Sequence, residues 1–357
     1  MMQQLLSKPQ LSHRITLLIM NPLVSIFIPS YNESSTIEHL LESIYHQTYS
    51  RSSIEVIIAD GMSTDDTRQK ISSFSDAHPD LSIRIVNNEE KFIPHALNKG
   101  IKAAKGDFLV RMDAHSIPAK DYVFLCVQAL QNNKGDNVGG RWDIQPGNDC
   151  YAARSIAIAA GHPLGSGGAN YRSGNKACLV DTVPFGAFAR ETLNRNGFFD
   201  ETLLANEDYE WNTRLRAQGG KVWFDPAIRC QYFARKNYRA LSKQYFNYGY
   251  WKVVMLRSYP KTLRLRQMIP PMFTAILFFG AILSTLSLLL GWSYISWVMI
   301  IMLLVYIVTL GLGTILLDKS ISFSLVPGVI LSLATMHLSW GSGFWLSLIA
   351  NKKARSG

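Results

Sequence analysis

The sequence predicts an α/β domain built on parallel strands and joined to C-terminal transmembrane helices. Three observations predict it. Short apolar, β-branched runs alternate with helical periodicity over residues 24–113, the pattern of βαβ units. From Gln267 to Leu317 there are 51 residues without one charged side chain, too long an apolar stretch for a soluble core helix. Between these regions the basicity is gathered in one block: Arg229 to Arg266 holds ten Lys or Arg and no Asp or Glu, whereas residues 1–228 carry 22 basic and 25 acidic groups.

Each strand and helix can be justified in turn. Val24 to Pro29 (VSIFIP) is a buried strand, and the capping-box spacing of Ser35 and Glu38 opens a helix in which Ile37, Leu40, Leu41 and Ile44 recur with helical period. Ile54 to Ala59 is the second strand, followed by Thr64, Asp65 and Asp66 as helix-start residues. Leu81, Ile83 and Ile85 alternate as a third strand, Pro94 to Ala104 reads as helix, and Asp107 to Met112 is a fourth strand ending at Asp113. Farther on, Asn206 is positioned as an N-cap for a helix running to Gly219, with Glu207, Asp208 and Glu210 in its first turn.

The apolar tail divides by length. A span needs about 20 residues to cross about 30 Å, so 267–317 holds two helices, broken near Gly291, Trp292 and Ser293. Past Asp318 and Lys319, the uncharged stretch Ser320 to Ala350 is interrupted by Pro327, Gly328, His337, Gly341 and Gly343. Under the positive-inside rule the basic block stays cytoplasmic, and a third crossing would carry Lys352, Lys353 and Arg355 outward, so a third span and a re-entrant segment both stay open. Tyr238, Tyr245, Phe246, Tyr248, Tyr250 and Trp251 interleave the basic block in a way that suits a headgroup layer. Adjacency to a span argues against base stacking, and no nucleic-acid partner is expected. Ile15 to Met20 is too short for a secretory segment, which keeps the α/β domain in the cytoplasm.

Composition excludes other classes. A chain of 357 residues that is 48% hydrophobic and 17% charged is neither disordered nor collagenous. Cys126, Cys150, Cys178 and Cys230 lie far apart without zinc spacing and read as free thiols in a reducing compartment.

The acids carry the functional signal. Glu33 follows the first strand, Asp60 closes the second and Asp113 closes the fourth, and ligands of open α/β sheets bind at carboxyl ends of strands. Any one of the three is an ordinary turn or cap residue; three in consecutive units favour a crevice. GxGxxG and GxxxxGK[ST] are both missing, so dinucleotide and P-loop sites lose support. A carboxylate crevice repels phosphate unless a cation lies between. Asp113 and His115 fall on the same side of an extended segment, and Asp with imidazole suits Mn²⁺ more than Mg²⁺.

These residues resemble family 2 glycosyltransferases of the GT-A fold, over most of residues 23–235. VSIFIPSYNE is similar to the family's opening strand and nucleotide loop, IEVIIADGMSTDDT to its second strand with the nucleoside-contacting Asp, here Asp60. NKGIKAAKGDFLVRMDAH is similar to the approach to the DxD metal motif, and NEDYEWNTRLRAQGG to the ED motif and its helix. GAFAR (186–190) and QYFNYGYWK (244–252) resemble bacterial exopolysaccharide enzymes of the succinoglycan type. The resemblance implies a Rossmann-like, mostly parallel sheet with flanking helices, a nucleotide-sugar donor such as a UDP-sugar, and a lipid-linked saccharide acceptor on polyprenyl diphosphate. It also implies a divalent metal, Mn²⁺ or Mg²⁺, and a multi-pass protein of the bacterial inner membrane with its catalytic domain cytoplasmic. His115 stands where the second Asp of DxD is usual. The QxxRW motif of processive synthases is missing after residue 228, which points to single-sugar addition.

The expected organisation is an N-terminal extension (1–22), a catalytic domain (23–228) with a nucleotide half (23–115) and an acceptor half (116–228), a basic aromatic segment (229–266), two or three transmembrane helices (267–350) and a basic tail (351–357). At about 100° per residue, Asp208, Trp211 and Leu215 share one helix face and Glu210 pairs with Arg214 on another. Asp208 is therefore the candidate base that takes the acceptor proton, with Glu207 as its substitute. Asp113 and His115 would hold the metal against the departing diphosphate, while Pro29, Tyr31, Glu33, Asp60, Asn98 and Asp113 would bind the donor. Residues 161–187 are the candidate acceptor loop. Lys105, Arg172 and Lys176 could meet a lipid diphosphate, although solvated surface charge is the ordinary explanation for each. Transfer to polyprenyl monophosphate and a non-catalytic nucleotide-sugar sensor or scaffold are the competing readings.

Overall fold

Strands without a polar face belong in the middle of a sheet. Val24–Ser30 (β1) and Ile54–Asp60 (β2) are buried almost throughout, whereas Ser82–Asn87 (β3) is only half-buried and lies at the edge. In a computed structural model, residues 21–317 and 321–350 are described. The expectations placed on Ile15–Met20, on Asp318 and Lys319 and on the 351–357 tail fall outside the described residues.

The chain forms two compact units. One holds the described residues through Gly140 with Ala177–Glu201 and Trp211–Cys230; the other holds Arg141–Lys176, Thr202–Glu210 and the described residues from Gln231 on. In the first unit the helices Ile37–Tyr45 (α1), Thr67–Ala77 (α2) and Ile93–Ala103 (α3) connect β1, β2, β3 and Phe108–Arg111 (β4). α1 buries Ile37, Leu40, Leu41 and Ile44, as its period requires. Its expected capping box does not form. Thr36 is the N-cap, its Oγ1 turns to the Glu33 carboxylate at 2.7 Å, and Glu38 pairs instead with Lys70.

The next elements are Ser116–Pro118 (β5), Tyr122–Gln131 (α4), Asn137–Gln145 (β6), Tyr151–Gly161 (α5), Pro163–Ser166 (α6) and Asn170–Ser173 (α7). Cys178–Leu179 (β7), Ala187–Ala189 (β8), Arg190–Asn196 (α8), Glu207–Ala217 (α9) and Val222–Phe233 (β9) follow. The sheet order is β3-β2-β1-β4-β8-β6-β9-β5, with β7 on β9. Pairing is parallel through β3, β2, β1 and β4, then antiparallel on both sides of β8, so the sheet is mixed. Phe27, Phe188, Phe199 and Trp211 form an aromatic core, with Phe188 and Trp211 4.6 Å apart. Each such buried side chain contributes about 1.5–3 kcal/mol. All four cysteines are free.

The second unit gathers α5, Tyr238–Ser258 (α10), Leu265–Leu289 (α11), Tyr294–Leu317 (α12) and Val326–Ile349 (α13). The last three are long and apolar enough to cross a membrane. Ser320–Ala350, left open by the sequence, thus contains a continuous helix rather than a broken one. Its 24 residues measure about 36 Å. The glycines read as interruptions are crossing points. A Cβ on Gly343 would stand 2.1 Å from the Phe246 carbonyl, and one on Gly249 would stand 2.0 Å from that of Trp340, so α10 and α13 touch backbone to backbone.

Candidate active site

Register brings the strand ends together: Ser30 lies opposite Asp60 on β2, and β4 flanks β1 on its other side. The loops leaving β1 and β2 are then laced to each other. Gly61 N donates to the Ser30 carbonyl at 2.7 Å, Glu33 N to Thr67 Oγ1 at 2.8 Å, and Thr64 N to Asn32 Oδ1 at 2.8 Å. Asn32 and Met62 take left-handed backbone angles, φ 54° and 59°, which only tight turns impose on such residues. The Thr67 hydroxyl, together with Ser34 N, which donates to Asp65 at 3.1 Å, holds the Asp65 carboxyl down at about 2.

Asp60 is fully buried. Its carboxylate accepts from Ser63 Oγ at 2.5 Å, Ser63 N at 3.0 Å and Arg68 Nε at 2.6 Å. Arg68 reaches on to Asn87, so one guanidinium ties β2 to β3. Pro29 continues β1, paired with Ala59, and Tyr31 exposes its ring beyond it with Lys91 Nζ 5.4 Å from the centroid.

At the end of β4, Asp113 and His115 are each partly exposed, and each has a charged companion. Arg111, itself 3% exposed, reaches Asp113 Oδ1 from Nη2 at 3.2 Å and from Nε at 3.3 Å. Sequence reasoning missed Arg111. Its signal was a cation two residues before Asp113, hence on the same side of an extended segment. His115 Nδ1 lies 3.2 Å from Glu33 Oε1, so Glu33 touches the imidazole directly. A carboxylate on one ring nitrogen is the usual way to aim the other at a metal. Among the described residues no three His, Cys, Asp or Glu stand together as an ion-binding group. One carboxylate and one imidazole are a donor set that would suit a divalent ion, Asp113 supplying an oxygen and His115 a nitrogen.

Asn98 behaves differently from expectation. It is 3% exposed; its Nδ2 donates to the Phe199 carbonyl at 2.9 Å and to Glu201 at 2.8 Å, and its Oδ1 accepts from Phe199 N at 2.9 Å. The amide is committed to bracing the 199–201 segment rather than to a donor contact.

Glu207 and Asp208 open α9, within the second unit. Glu207 is buried and Asp208 half-buried. Trp211 and Leu215 are buried as the helical face requires. Glu210, on a different face from Asp208, is fully buried and accepts from the Tyr259 hydroxyl at 2.9 Å. Asn206 has φ 67°, outside the extended angles usual for an N-cap, and its amide Nδ2 donates to the Tyr248 carbonyl at 3.4 Å.

Comparison with known proteins decides the family. Residues 25–196 match Glycosyl transferase family 2. A dolichyl N-acetyl-α-D-glucosaminyl phosphate 3-β-D-2,3-diacetamido-2,3-dideoxy-β-D-glucuronosyltransferase of Methanococcus voltae is 30% identical over 66% of this chain and 74% of its own length. This chain belongs to glycosyltransferase family 2. Succinoglycan biosynthesis protein ExoA of Rhizobium meliloti (strain 1021) is 27% identical across 91% of this chain and 94% of its own, so the likeness to succinoglycan-type enzymes extends through the apolar helices. Among solved structures, the mannosyltransferase PcManGT from Pyrobaculum calidifontis, in complex with GDP-Man and Mn²⁺, superposes with a TM-score of 0.62 at 20% identity, covering 93% of this chain and 89% of that one. That likeness establishes the GT-A-like fold of this family 2 member.

Proposed function

We propose that this glycosyltransferase moves one sugar, with inversion, from a nucleotide-sugar such as a UDP-sugar to a saccharide carried on polyprenyl diphosphate, in exopolysaccharide assembly at the cytoplasmic face of a bacterial inner membrane. The observation that carries the reading is the contact between Glu33, after β1, and His115, after β4, beside Asp60 at the end of β2. Three loops at the carboxyl ends of neighbouring strands thereby present acids and an imidazole on one edge, where such folds hold nucleotides.

Asp60 and the exposed ring of Tyr31 would take the nucleoside, and Asp113 with His115 would hold the divalent metal, Mn²⁺ in preference to Mg²⁺. When bound, that ion neutralises charge developing on the diphosphate. Asp208, with Glu207 beside it, is the base. An acceptor hydroxyl oxygen bonds to the anomeric carbon, its proton passes to the Asp208 carboxylate, and the bond to the nucleoside diphosphate breaks with the electron pair leaving on oxygen. The lipid-linked acceptor draws support from the Methanococcus voltae relative, named for a dolichyl-phosphate saccharide, and the polysaccharide context from ExoA, named for succinoglycan biosynthesis.

The test is incubation of membranes containing the protein with labelled UDP-sugars, each offered with polyprenyl phosphate or a short lipid-linked oligosaccharide. Label on the oligosaccharide is the expected outcome. Label only on polyprenyl phosphate would move the enzyme to the lipid-phosphate class, and UDP-sugar binding without transfer, unaltered by Asp208→Asn, would make it a sensor.

A further inference from the structure

Of the three cations weighed for a lipid diphosphate, Lys105 and Lys176 are exposed, whereas Arg172, in α7, is 8% exposed. Surface charge needs no partner, but a buried guanidinium does. Among the described residues no carboxylate supplies one. Arg172 Nη1 donates to the Ala160 carbonyl at 3.2 Å and to the Tyr245 hydroxyl at 2.9 Å, and its buried Nε has no acceptor among the described residues.

Aromatic rings enclose it instead. The guanidinium carbon lies 5.7 Å from the Trp142 centroid and 5.6 Å from that of Tyr171. Trp142 stacks on Tyr232 at 4.1 Å, and Tyr245 meets Tyr248 at 5.6 Å. Contacts of this type return only part of the desolvation cost of an ion.

Counting donors and acceptors sharpens the point. The Tyr248 hydroxyl accepts from Gln244 Nε2 at 2.9 Å, and the Tyr245 hydroxyl accepts from Arg172. Among the described residues, neither hydroxyl has an acceptor for its own proton. Burial raises both phenols above their usual range, so they stay protonated and supply no negative charge. All these groups belong to the second unit. Among the described residues they leave the buried Nε–H and two O–H donors without an acceptor, around a cation that lacks an anion.

We infer that Arg172, Tyr245 and Tyr248 form an anion site that takes a phosphate group of the acceptor's lipid diphosphate. Phosphate oxygens accept several hydrogen bonds and carry the missing charge. The inference rests on the lipid-linked acceptor proposed above. It also replaces the surface-charge explanation of Arg172 and the assignment of Tyr245 and Tyr248 to a headgroup layer.

The test uses full-length protein in detergent, titrated calorimetrically with farnesyl diphosphate, inorganic pyrophosphate and farnesol. Both diphosphates should bind the native protein and farnesol should not. Arg172→Gln should weaken them by roughly tenfold to a hundredfold, the span of a charge-assisted hydrogen bond, and Arg172→Lys by less. UDP with Mn²⁺ should bind every variant alike, which reports folding. Unchanged diphosphate affinity in an Arg172→Gln protein that binds UDP normally would overturn the site. So would binding that phosphatidylglycerol nanodiscs displace and farnesyl diphosphate does not. If Arg172→Gln fails to bind UDP, Tyr245→Phe and Tyr248→Phe carry the test: severalfold weaker diphosphate binding in either supports the site, and native affinity in both ends it. Diphosphate binding through Arg172 without sugar transfer to any lipid would sink the proposed enzyme and leave the site. Transfer unaffected by Arg172→Gln would do the reverse.

Discussion

Glu33→Gln isolates what the carboxylate contributes to His115. The amide keeps the size and an oxygen acceptor for the ring, and keeps an acceptor for the Thr36 hydroxyl now at 2.7 Å, but it removes the charge 3.2 Å from Nδ1. A hydrogen bond to a charged group is worth about 1.5–3 kcal/mol and a neutral one about 0.5–1.5 kcal/mol. The side chains of His115 and Glu33 are 33% and 24% exposed, so solvent screening places the loss near the lower end, about 1–1.5 kcal/mol. If His115 is a metal ligand, that difference passes to the ion as roughly tenfold weaker binding, the lower edge of what removal of such a partner usually costs. Paramagnetic resonance of free Mn²⁺, titrated with protein in the presence of UDP, reads it without any turnover. His115→Ala should lose more. Native Mn²⁺ affinity in Glu33→Gln, alongside a clear loss in His115→Ala, would refute the orienting role. Native affinity in both would remove the metal assignment itself.

Asp208→Asn should lower transfer by roughly 10²–10⁴-fold with UDP affinity preserved; retained transfer in a donor-binding variant would move the base elsewhere. Gly249→Ala places a Cβ against the Trp340 carbonyl and should cost about 1–3 kcal/mol, seen as a lower Tm in detergent, whereas an unchanged Tm would contradict the close crossing of α10 and α13. Burial alone would raise the Glu55 carboxyl, but hydrogen bonds from Ser25, Lys105 N and Arg84 hold it below its usual value. A depressed carboxyl stabilises the fold above its unfolded pKa of about 4.3 and loses that contribution as pH falls through the folded value. The gap in urea midpoint between native and Glu55→Gln protein should therefore be full above about pH 5 and close on further acidification; a gap independent of pH would refute the network's role. Chelation should abolish UDP-sugar binding while leaving farnesyl diphosphate binding intact, as calorimetry with and without chelator would show. Equal loss of both would mean that the two phosphate sites share a metal.

What the sequence disclosed and what it concealed divide along the range of the contacts involved. β1 and β2 were legible because short, mostly apolar runs rich in β-branched residues belong in a sheet interior, and Glu33, Asp60 and Asp113 were legible because strand ends are punctuated locally. Asn98 was read as a nucleotide contact because nothing near it announces Phe199, 101 residues away. Glu210 was paired only with Arg214 because a helical wheel carries one helix and no trace of Tyr259, 49 residues on. Gly341 and Gly343 looked like interruptions because glycine weakens an isolated helix; packed against another backbone, it is what permits the approach. Arg172 suffered most. A cation in a glycine-rich stretch is ordinarily solvated, and only Tyr245, 73 residues later, reveals that this one is not.

The two clusters answer opposite electrostatic problems. At the strand ends, Glu33, Asp60 and Asp113 offer negative oxygens, and even with Arg68 and Arg111 beside them a nucleoside diphosphate would meet repulsion unless a cation accompanied it. Around Arg172 the surplus is of donors and positive charge, and a phosphate needs no such companion. A single-displacement glycosyltransferase with two phosphate-bearing substrates has reason to differ in this way. The donor's diphosphate is a leaving group, and a metal held by Asp113 and His115 would neutralise the charge that develops on it. The acceptor's diphosphate takes no part in bond breaking and has only to be held, a task for which a fixed guanidinium in a ring of tyrosines is sufficient.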